Sequence, residues 1–312
     1  MRQQDGTKPP LTELGSTMRV LRPHPNVFAF YDGRIEGKRA YSEESNWLDD
    51  GAYVLGIATY AIVEGKEAIV YDAHISLAHA RMIRKALTAA GVAEFRVVLS
   101  HWHADHVAGN EVFEDCEIIA NGLTAKALAE HRREFEEGGR DPPIKPLVMP
   151  NRSFDGELVL KLGGTTVELR HADIHSHDGT VMLLPDAGIL FAGDTLEDPI
   201  TFVAEPDRLE THLKDLERMS GWKFGRILPN HGAPEVIESG GYDRRFIDAT
   251  RRYVEKLLRC RQEPELARQD LESFARQDFA SGGIRYFAPY EAVHRRNVEA
   301  VLECSHVTQS GL

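Results

Sequence analysis

The sequence is poor in cysteine, with three among its 312 residues, far apart at positions 116, 260 and 304. An odd number of cysteines without a C-x-x-C spacing does not indicate a disulfide framework. We therefore expect Cys116, Cys260 and Cys304 to be reduced, mostly structural thiols of a cytoplasmic protein. Cys116 begins an apolar stretch, so we expect it in the core and not on a metal ion.

Long apolar runs are also missing. No stretch approaches the length that a membrane-spanning helix requires, and residues 1–6 contain no hydrophobic segment of a signal peptide. These absences predict a protein without a membrane partner and without an export signal, and we expect it in the cytoplasm.

Positive charge is in deficit, because 37 Lys and Arg stand against 49 Asp and Glu, a formal net charge of −12. A nucleic-acid-binding surface needs a basic footprint, so we expect no nucleic-acid partner. The hydrophobic share of 42% and the charged share of 28% are ordinary for a globular protein. The length allows one large domain or two.

A dense cluster of metal-ligand side chains is present in the six residues HWHADH that begin at His101. They follow the apolar run FRVVL, so we expect a loop at the end of a buried strand, where α/β proteins place their chemistry. Three imidazoles and a carboxylate suit zinc and neighbouring divalent metals. His101 and His103 point the same way in an extended segment, whereas Asp105 and His106 lie at the turn. Each pair could bind one metal ion; the alternative is a chance cluster of polar surface residues.

Hydrophobic periodicity and turn residues predict the surrounding elements. Strands are expected at 18–22, 27–31, 53–63, 67–71, 95–99, 116–120, 157–162, 166–170, 180–184, 188–192 and 226–228. Helices are expected at 76–90 and 121–137, around 209–219 and 246–257, and at 264–279 and 290–304. Four prolines make 140–152 a loop, and the segment 38–51 could arch over a site.

The HWHADH segment resembles the H-x-H-x-D-H signature of the metallo-β-lactamase superfamily. Three downstream segments are similar to the family's further ligand motifs, namely ADIHSHDG with His175, GILFAGDT with Asp194, and ILPNHG with His231. In the last of these, Asn230 replaces the glycine of the usual P-G-H-G turn. The resemblance spans roughly residues 52–235.

The resemblance implies a dinuclear metal site, most simply two Zn²⁺ per chain, with iron or manganese as other candidates. One metal ion would take His101, His103 and His175, the other Asp105, His106 and His231, and Asp194 would bridge them. Asp72, at the end of the strand 67–71, would hydrogen-bond a metal ligand and orient it. Asp72 could instead, or in addition, cap the following helix.

Alternating strands and helices, together with the resemblance, predict an α/β fold of the four-layer αββα sandwich type with a C-terminal helical extension. We expect three parts: a loosely ordered N-terminus at 1–17, the sandwich domain at 18–240, and helices at 241–312 that pack on the same domain. These helices could cap the site or form a homo-oligomer contact.

The implied activity is metal-dependent hydrolysis of a small-molecule substrate. A hydroxide between two metal ions forms near neutral pH, because bound water has its pKa lowered from about 15.7 towards roughly 7. Asp105 would be the catalytic residue that orients this hydroxide. Asp194 stands where the lactamase branch has cysteine or serine, which favours the thioesterase, lactonase and phosphodiesterase branches; since the acidic surface opposes nucleic acid, we expect a small ester, thioester or lactone as substrate. Apolar walls are expected from Trp47 or from the region of Phe279 and Tyr286.

Other functions stay open. One is a mononuclear iron dioxygenase acting on persulfides, which has the same fold. A second is a β-lactamase-type amide hydrolase, which Asp194 and the expected lack of an export signal oppose. A third is a non-catalytic metal-binding module. The sequence departs from the lactonase branch at Glu197, where that branch has tyrosine, and from glyoxalase-type thioesterases at Glu197-Asp198-Pro199.

Overall fold

Seven strands form the first of two β-sheets in the computed structural model, which describes residues 11–309. In spatial order they are β1 (Arg19–His24), β2 (Val27–Asp32), β3 (Ile57–Glu64), β4 (Glu67–Tyr71), β5 (Glu94–Val98), β6 (Glu117–Asn121) and β7 (Arg152–Phe154). Strands β1 to β4 pair antiparallel, and β4 to β7 pair parallel. The carboxyl ends of β4 and β5 therefore lie side by side, and the segments that follow them begin at one edge.

Five strands form the second sheet, in the order β12-β11-β10-β9-β8. Their bounds are β8 (Glu157–Leu162), β9 (Thr165–His171), β10 (Thr180–Leu184), β11 (Ile189–Gly193) and β12 (Arg226–Pro229). Only the β11–β12 pair is parallel, so the carboxyl ends of these two strands also lie next to each other.

Helices cover the outer faces of both sheets. They are α1 (Leu77–Ala89), α2 (Ala104–Val107), α3 (Gly122–Glu136), α4 (Leu209–Ser220), α5 (Pro234–Glu238), α6 (Arg245–Cys260), α7 (Pro264–Ala267), α8 (Leu271–Phe274), α9 (Arg276–Ser281) and α10 (Tyr290–Gln309). The side chains of Ser76 and Asn121 cap α1 and α3 by accepting backbone N–H groups. These caps explain why both helices begin where the sequence predicts.

Three apolar layers hold the fold together. One lies between the two sheets, where the rings of Tyr60 and Phe191 meet edge to face at 5.4 Å. A second packs α1 and α3 on the first sheet, and a third packs α4, α6 and α10 on the second sheet. The order helix, sheet, sheet, helix confirms the predicted four-layer αββα sandwich with its C-terminal helices.

Two predicted elements differ from the structure. Tyr53, expected in a strand, ends a helical turn at Leu48–Tyr53, and β3 begins four residues later. The single helix expected at 264–279 is divided into α7, α8 and α9, because the side chain of Asp270 caps α8 and starts a new helix there.

Other expectations concern the ends and the surface of the chain. Of the N-terminus predicted to be loosely ordered at 1–17, residues 1–10 lie outside the described residues. The boundary at 240 stays a prediction. Within 11–309 we find no helix whose length and hydropathy would let it span a bilayer. Cys116 and Cys260 are free thiols, and Cys116, expected in the core, is only partly buried.

Candidate metal centre

Three histidines expected to share one metal ion converge in the structure. His103 Nδ1 lies 2.9 Å from His101 Nε2 and 3.0 Å from His175 Nε2. The other ring nitrogens of His101 and His175 are engaged, since His101 Nδ1 lies 2.9 Å from the hydroxyl of Ser100 and His175 Nδ1 donates to the carbonyl of Phe202 at 2.9 Å. Burial, reinforced by neighbouring imidazoles, lowers the pKa of His101 and of His103 well below the usual range. Neutral rings whose free nitrogens face one point suit a divalent cation.

The remaining expected ligands form a second group beside the first. His106 Nε2 lies 3.0 Å from Asp194 Oδ2 and 3.5 Å from Asp105 Oδ2. His231 Nε2 lies 3.4 Å and 3.3 Å from the same two oxygens, while its Nδ1 donates to the carbonyl of Gly56 at 2.7 Å. Burial opposes a charge on His106 and His231, but the adjacent carboxylates outweigh it and raise the pKa of both rings well above its usual range. The same carboxylates favour a metal ion here.

Asp194 joins the two groups. Its Oδ2 lies 3.7 Å from His101 Nε2 and 3.8 Å from His175 Nε2, in addition to its contacts in the second group. Its Oδ1 is buried and has no hydrogen-bond partner among the described residues. Burial opposes ionisation, but His106 and His231 hold the pKa of Asp194 well below its usual range. An ionised, buried and half-unsatisfied carboxylate fits a ligand shared by two cations.

Local backbone geometry delivers these side chains. Gly193 ends β11 with φ +58°, and a Cβ there would lie 3.0 Å from Tyr71 Oη, so a glycine precedes Asp194 for a steric reason. His175 and Asp72 adopt the left-handed region without being glycine, at φ +69° and +70°. Such conformations are costly for other residues and cluster at functional sites.

Asp72 lies directly behind the second group. Its Oδ2 is 2.9 Å from His106 Nδ1, and its Oδ1 accepts the backbone N–H of Ser100 at 2.6 Å. Asn230 also donates its amide to Asp72 Oδ2, at 2.5 Å. The cap of α1 is Ser76 and not Asp72, so of the two roles expected for Asp72 its contacts match only the orientation of His106.

A cleft of about 440 Å³ opens above the two groups. Its apolar walls include Trp47, as expected, together with Trp102 and Phe202. Phe279 and Tyr286 do not line it; their rings pack against each other at 5.7 Å. The helical tail does contribute a wall, but through the first turns of α10.

Glu197 is a site residue that the sequence reasoning treated only as a departure from known motifs. It is 2% exposed, accepts the N–H of Phe202 at 2.8 Å and the hydroxyl of Tyr290 at 3.0 Å, and lies 3.5 Å from His175 Nδ1. Burial, together with the charge of Asp194, raises the pKa of Glu197. No local sequence pattern predicted that Glu197 lies in the site, because its partner Tyr290 is 93 residues away in the chain.

Comparisons with known proteins give one family. The family model of the metallo-beta-lactamase superfamily matches residues 52–265. The lactamase-like protein ptaB of Pestalotiopsis fici is 26% identical over 184 residues, 58% of this chain and 51% of the relative. The atrochrysone carboxyl ACP thioesterase AgnL7 of Paecilomyces divaricatus is 25% identical over 205 residues, 65% of this chain and 59% of the relative.

The chain thus spans about half the length of the curated relatives it matches. Among solved structures, a metallo-beta-lactamase from Pontibacter korlensis aligns with a TM-score of 0.57, covering 76% of this chain and 99% of its own. At 17% identity, this likeness shows the fold alone.

Proposed function

The chain belongs to the metallo-beta-lactamase superfamily, and from that premise we propose that it is a metal-dependent hydrolase of a small acyl substrate, an ester, thioester or lactone. The observation that carries the proposal is the convergence of seven donor side chains at the floor of an open cleft, in two groups that both lie within 4 Å of Asp194. A fold used only for binding has no physical need for such an arrangement.

The proposed ligands follow the two groups of side chains described above. His101, His103 and His175 would hold one cation, Asp105, His106 and His231 a second, and Asp194 both. Zinc suits the mixture of imidazole and carboxylate donors best, with iron or manganese as other candidates. When bound there, the cations would supply a nucleophilic hydroxide from water near neutral pH and polarise the substrate carbonyl.

The chain's own residues would orient the reacting water and a metal ligand, and would exclude other water from the cleft. The Asp105 side chain is 18% exposed, against 4% for Asp194, so Asp105 is the carboxylate best able to accept a hydrogen bond from a reacting water. Asp72 would hold the ring of His106 in one orientation through its Nδ1. Trp47, Trp102 and Phe202 would exclude water around the acyl group.

A thioester is the acyl class that we place first. The named activity of the Paecilomyces divaricatus relative is that of a carboxyl ACP thioesterase, and it is similar to this chain over 65% of the chain's length. Hydrolysis of a thioester in this way would need no serine or cysteine nucleophile of the chain.

The test is metal analysis of the purified protein combined with steady-state kinetics on matched esters, thioesters, lactones and β-lactams. We expect about two metal ions per chain and the highest kcat/KM for a thioester. Asp194→Asn should lower kcat at least about 100-fold, more than the loss of a supporting hydrogen bond usually does. Asp186→Asn, a matched change on the exposed turn after β10, should leave kcat unchanged.

Other outcomes assign other functions. One iron per chain with oxygen consumption on a persulfide would identify a dioxygenase, and a preference for the lactam would identify an amide hydrolase. Absence of metal-dependent turnover on every substrate would leave a metal-binding module. Each of these would reject the acyl hydrolase.

A further inference from the structure

The first turns of α10 form one side of the cleft above the metal-ligand groups. Pro289, Ala292, Val293 and Arg296 line it. Pro289 directly precedes the helix, and Ala292, Val293 and Arg296, spaced by three and four residues, lie on one face of it. These residues lie beyond 52–265, the region that the family model matches, so this wall belongs to the chain's own C-terminal part.

Buried hydrogen bonds fix the position of α10 relative to the metal-ligand groups. Asn297 accepts the N–H of Val203 at 2.9 Å and donates to the carbonyl of Thr201 at 3.0 Å. Tyr290 donates to Glu197, which follows Asp194 by three residues. Since the segment after β11 carries both the shared ligand and these partners, α10 presents Arg296 at a fixed place relative to the floor of the cleft.

Arg296 is exposed at the mouth of the cleft, and no carboxylate of the described residues lies within ion-pair distance of it. A second guanidinium, that of Arg140, lies over the rings of Trp102 at 5.3 Å and Phe135 at 4.7 Å. Arg140 also lines the cleft, and its Nε lies 3.0 Å from Glu134. Two arginines thus face one cavity of a protein whose net charge is −12.

The acidic residues of the cleft are already engaged. Asp50, on the wall, forms an ion pair with Arg39, whose hydrogen bond holds the pKa of Asp50 below its usual range. Asp105 and Asp194 belong to the ligand groups on the floor, and Glu197 accepts hydrogen bonds from Phe202 and Tyr290. The mouth of the cleft is therefore positively charged where Arg296 stands, and an anion bound there meets no free carboxylate on the wall.

We propose that Arg296, assisted by Arg140, binds an anionic group of the substrate, a carboxylate or a phosphate, while the scissile acyl group lies on the floor of the cleft. This rests on the proposed function and narrows its substrate to an anionic acyl compound, most simply a thioester with a charged thiol or acyl part. A guanidinium suits the role because it pairs with carboxylate or phosphate through two parallel N–H donors.

The experiment measures equilibrium binding of non-hydrolysable butyl thioethers to the metal-loaded protein, so it does not depend on turnover. One pair compares the S-butyl thioether of N-(3-mercaptopropionyl)glycine with that of N-(3-mercaptopropionyl)glycinamide. A second pair compares the S-butyl thioethers of 4′-phosphopantetheine and pantetheine. Each pair differs only in the charged group. Calorimetry on the wild type, Arg296→Ala and Arg295→Ala gives the comparison; Arg295 is exposed on the same helix but does not line the cleft.

We expect the wild type to bind at least one charged thioether about 10-fold or more tightly than its neutral partner. Arg296→Ala should remove that preference and leave neutral binding within about two-fold, while Arg295→Ala should preserve it. The pair that responds identifies the anion as carboxylate or phosphate. Equal binding within both pairs, or an equal loss of charged and neutral ligands in Arg296→Ala, would overturn the proposal. If the charge preference is intact but the protein hydrolyses no acyl substrate, only the acyl hydrolase proposal is rejected.

Discussion

Backbone carbonyls decide which nitrogen of two histidines faces the metal-ligand groups. The Nδ1 atoms of His175 and His231 donate to the carbonyls of Phe202 and Gly56, so their Nε2 atoms carry the free lone pairs. His103 instead presents Nδ1 to its group. At the scale of the residue, the site is thus defined by hydrogen bonds outside the groups as much as by the ligands themselves.

The two ligand groups should respond differently to pH. A metal ion must displace the protons that the raised pKa of His106 and His231 keeps on these rings, so its binding weakens as pH falls. His101 and His103, whose pKa is lowered, are already neutral and need lose no proton. As the pH falls, the metal content should therefore decrease first from two ions to one per chain.

Metal analysis after dialysis at each pH checks this order. His231→Ala should remove the pH-sensitive ion and leave the resistant one. Loss of both ions at the same pH, or retention of the His106 and His231 ion alone, would contradict the assignment.

At the scale of the element, the junction between α10 and the segment after β11 is the feature that could not be predicted from the sequence. Tyr290 begins α10, is fully buried, and donates to Glu197. The ring of Phe287, just before the helix, lies under the guanidinium of Arg34 at 4.4 Å. The amino end of α10 therefore touches both the site segment and the residues that follow β2.

Tyr290→Phe tests this junction. The variant keeps the ring but leaves the buried Glu197 without its hydroxyl donor, so the free energy of unfolding should fall by about 1–2 kcal/mol. The same change should lower kcat/KM a few-fold, since α10 forms one wall of the cleft. Urea denaturation and kinetics measure both effects. Tyr286→Phe, which alters an exposed tyrosine bonded to Glu291, is the control and should change neither; equal behaviour of the two variants would refute the junction's role.

At the scale of the whole molecule, the C-terminal helices and the second sheet share one apolar layer. Leu190 of β11, Leu216 of α4 and Leu257 of α6 are all fully buried within it. The helices from residue 241 onward, predicted as an extension that packs on the same domain, cover the outer face of this sheet. Shared burial of this kind couples the unfolding of the parts that share it.

Phe246→Ala measures that coupling. Phe246 is fully buried in α6, with its ring 4.5 Å from that of Tyr242, so its truncation should cost about 3–5 kcal/mol. The wild type should unfold in one transition by both tryptophan fluorescence and circular dichroism, and the variant should shift both signals together. Val159→Ala, at an exposed position on β8, is the control. Two separate transitions, of which only one moves, would show that the helices unfold independently.

The sequence alone determined the parts of this protein that depend on local pattern. Apolar runs bounded by turn residues located β4, β8 and β10, and capping residues located the starts of α1 and α3, because these signals act within a few residues. The position of HWHADH after a buried strand indicated one part of the candidate site, and the resemblance to known family motifs indicated His175, Asp194 and His231.

Tertiary structure decided what depends on contacts between distant residues. Only packing brings Glu197 to Tyr290, sets Asp72 against His106, and turns one face of α10 with Arg296 towards the cleft. Packing also excluded Phe279 and Tyr286 from that wall, since their rings pack against each other instead. A linear pattern gives the face that a helix buries but not the partner that it meets, and the charge and shape of the cleft follow from that partner.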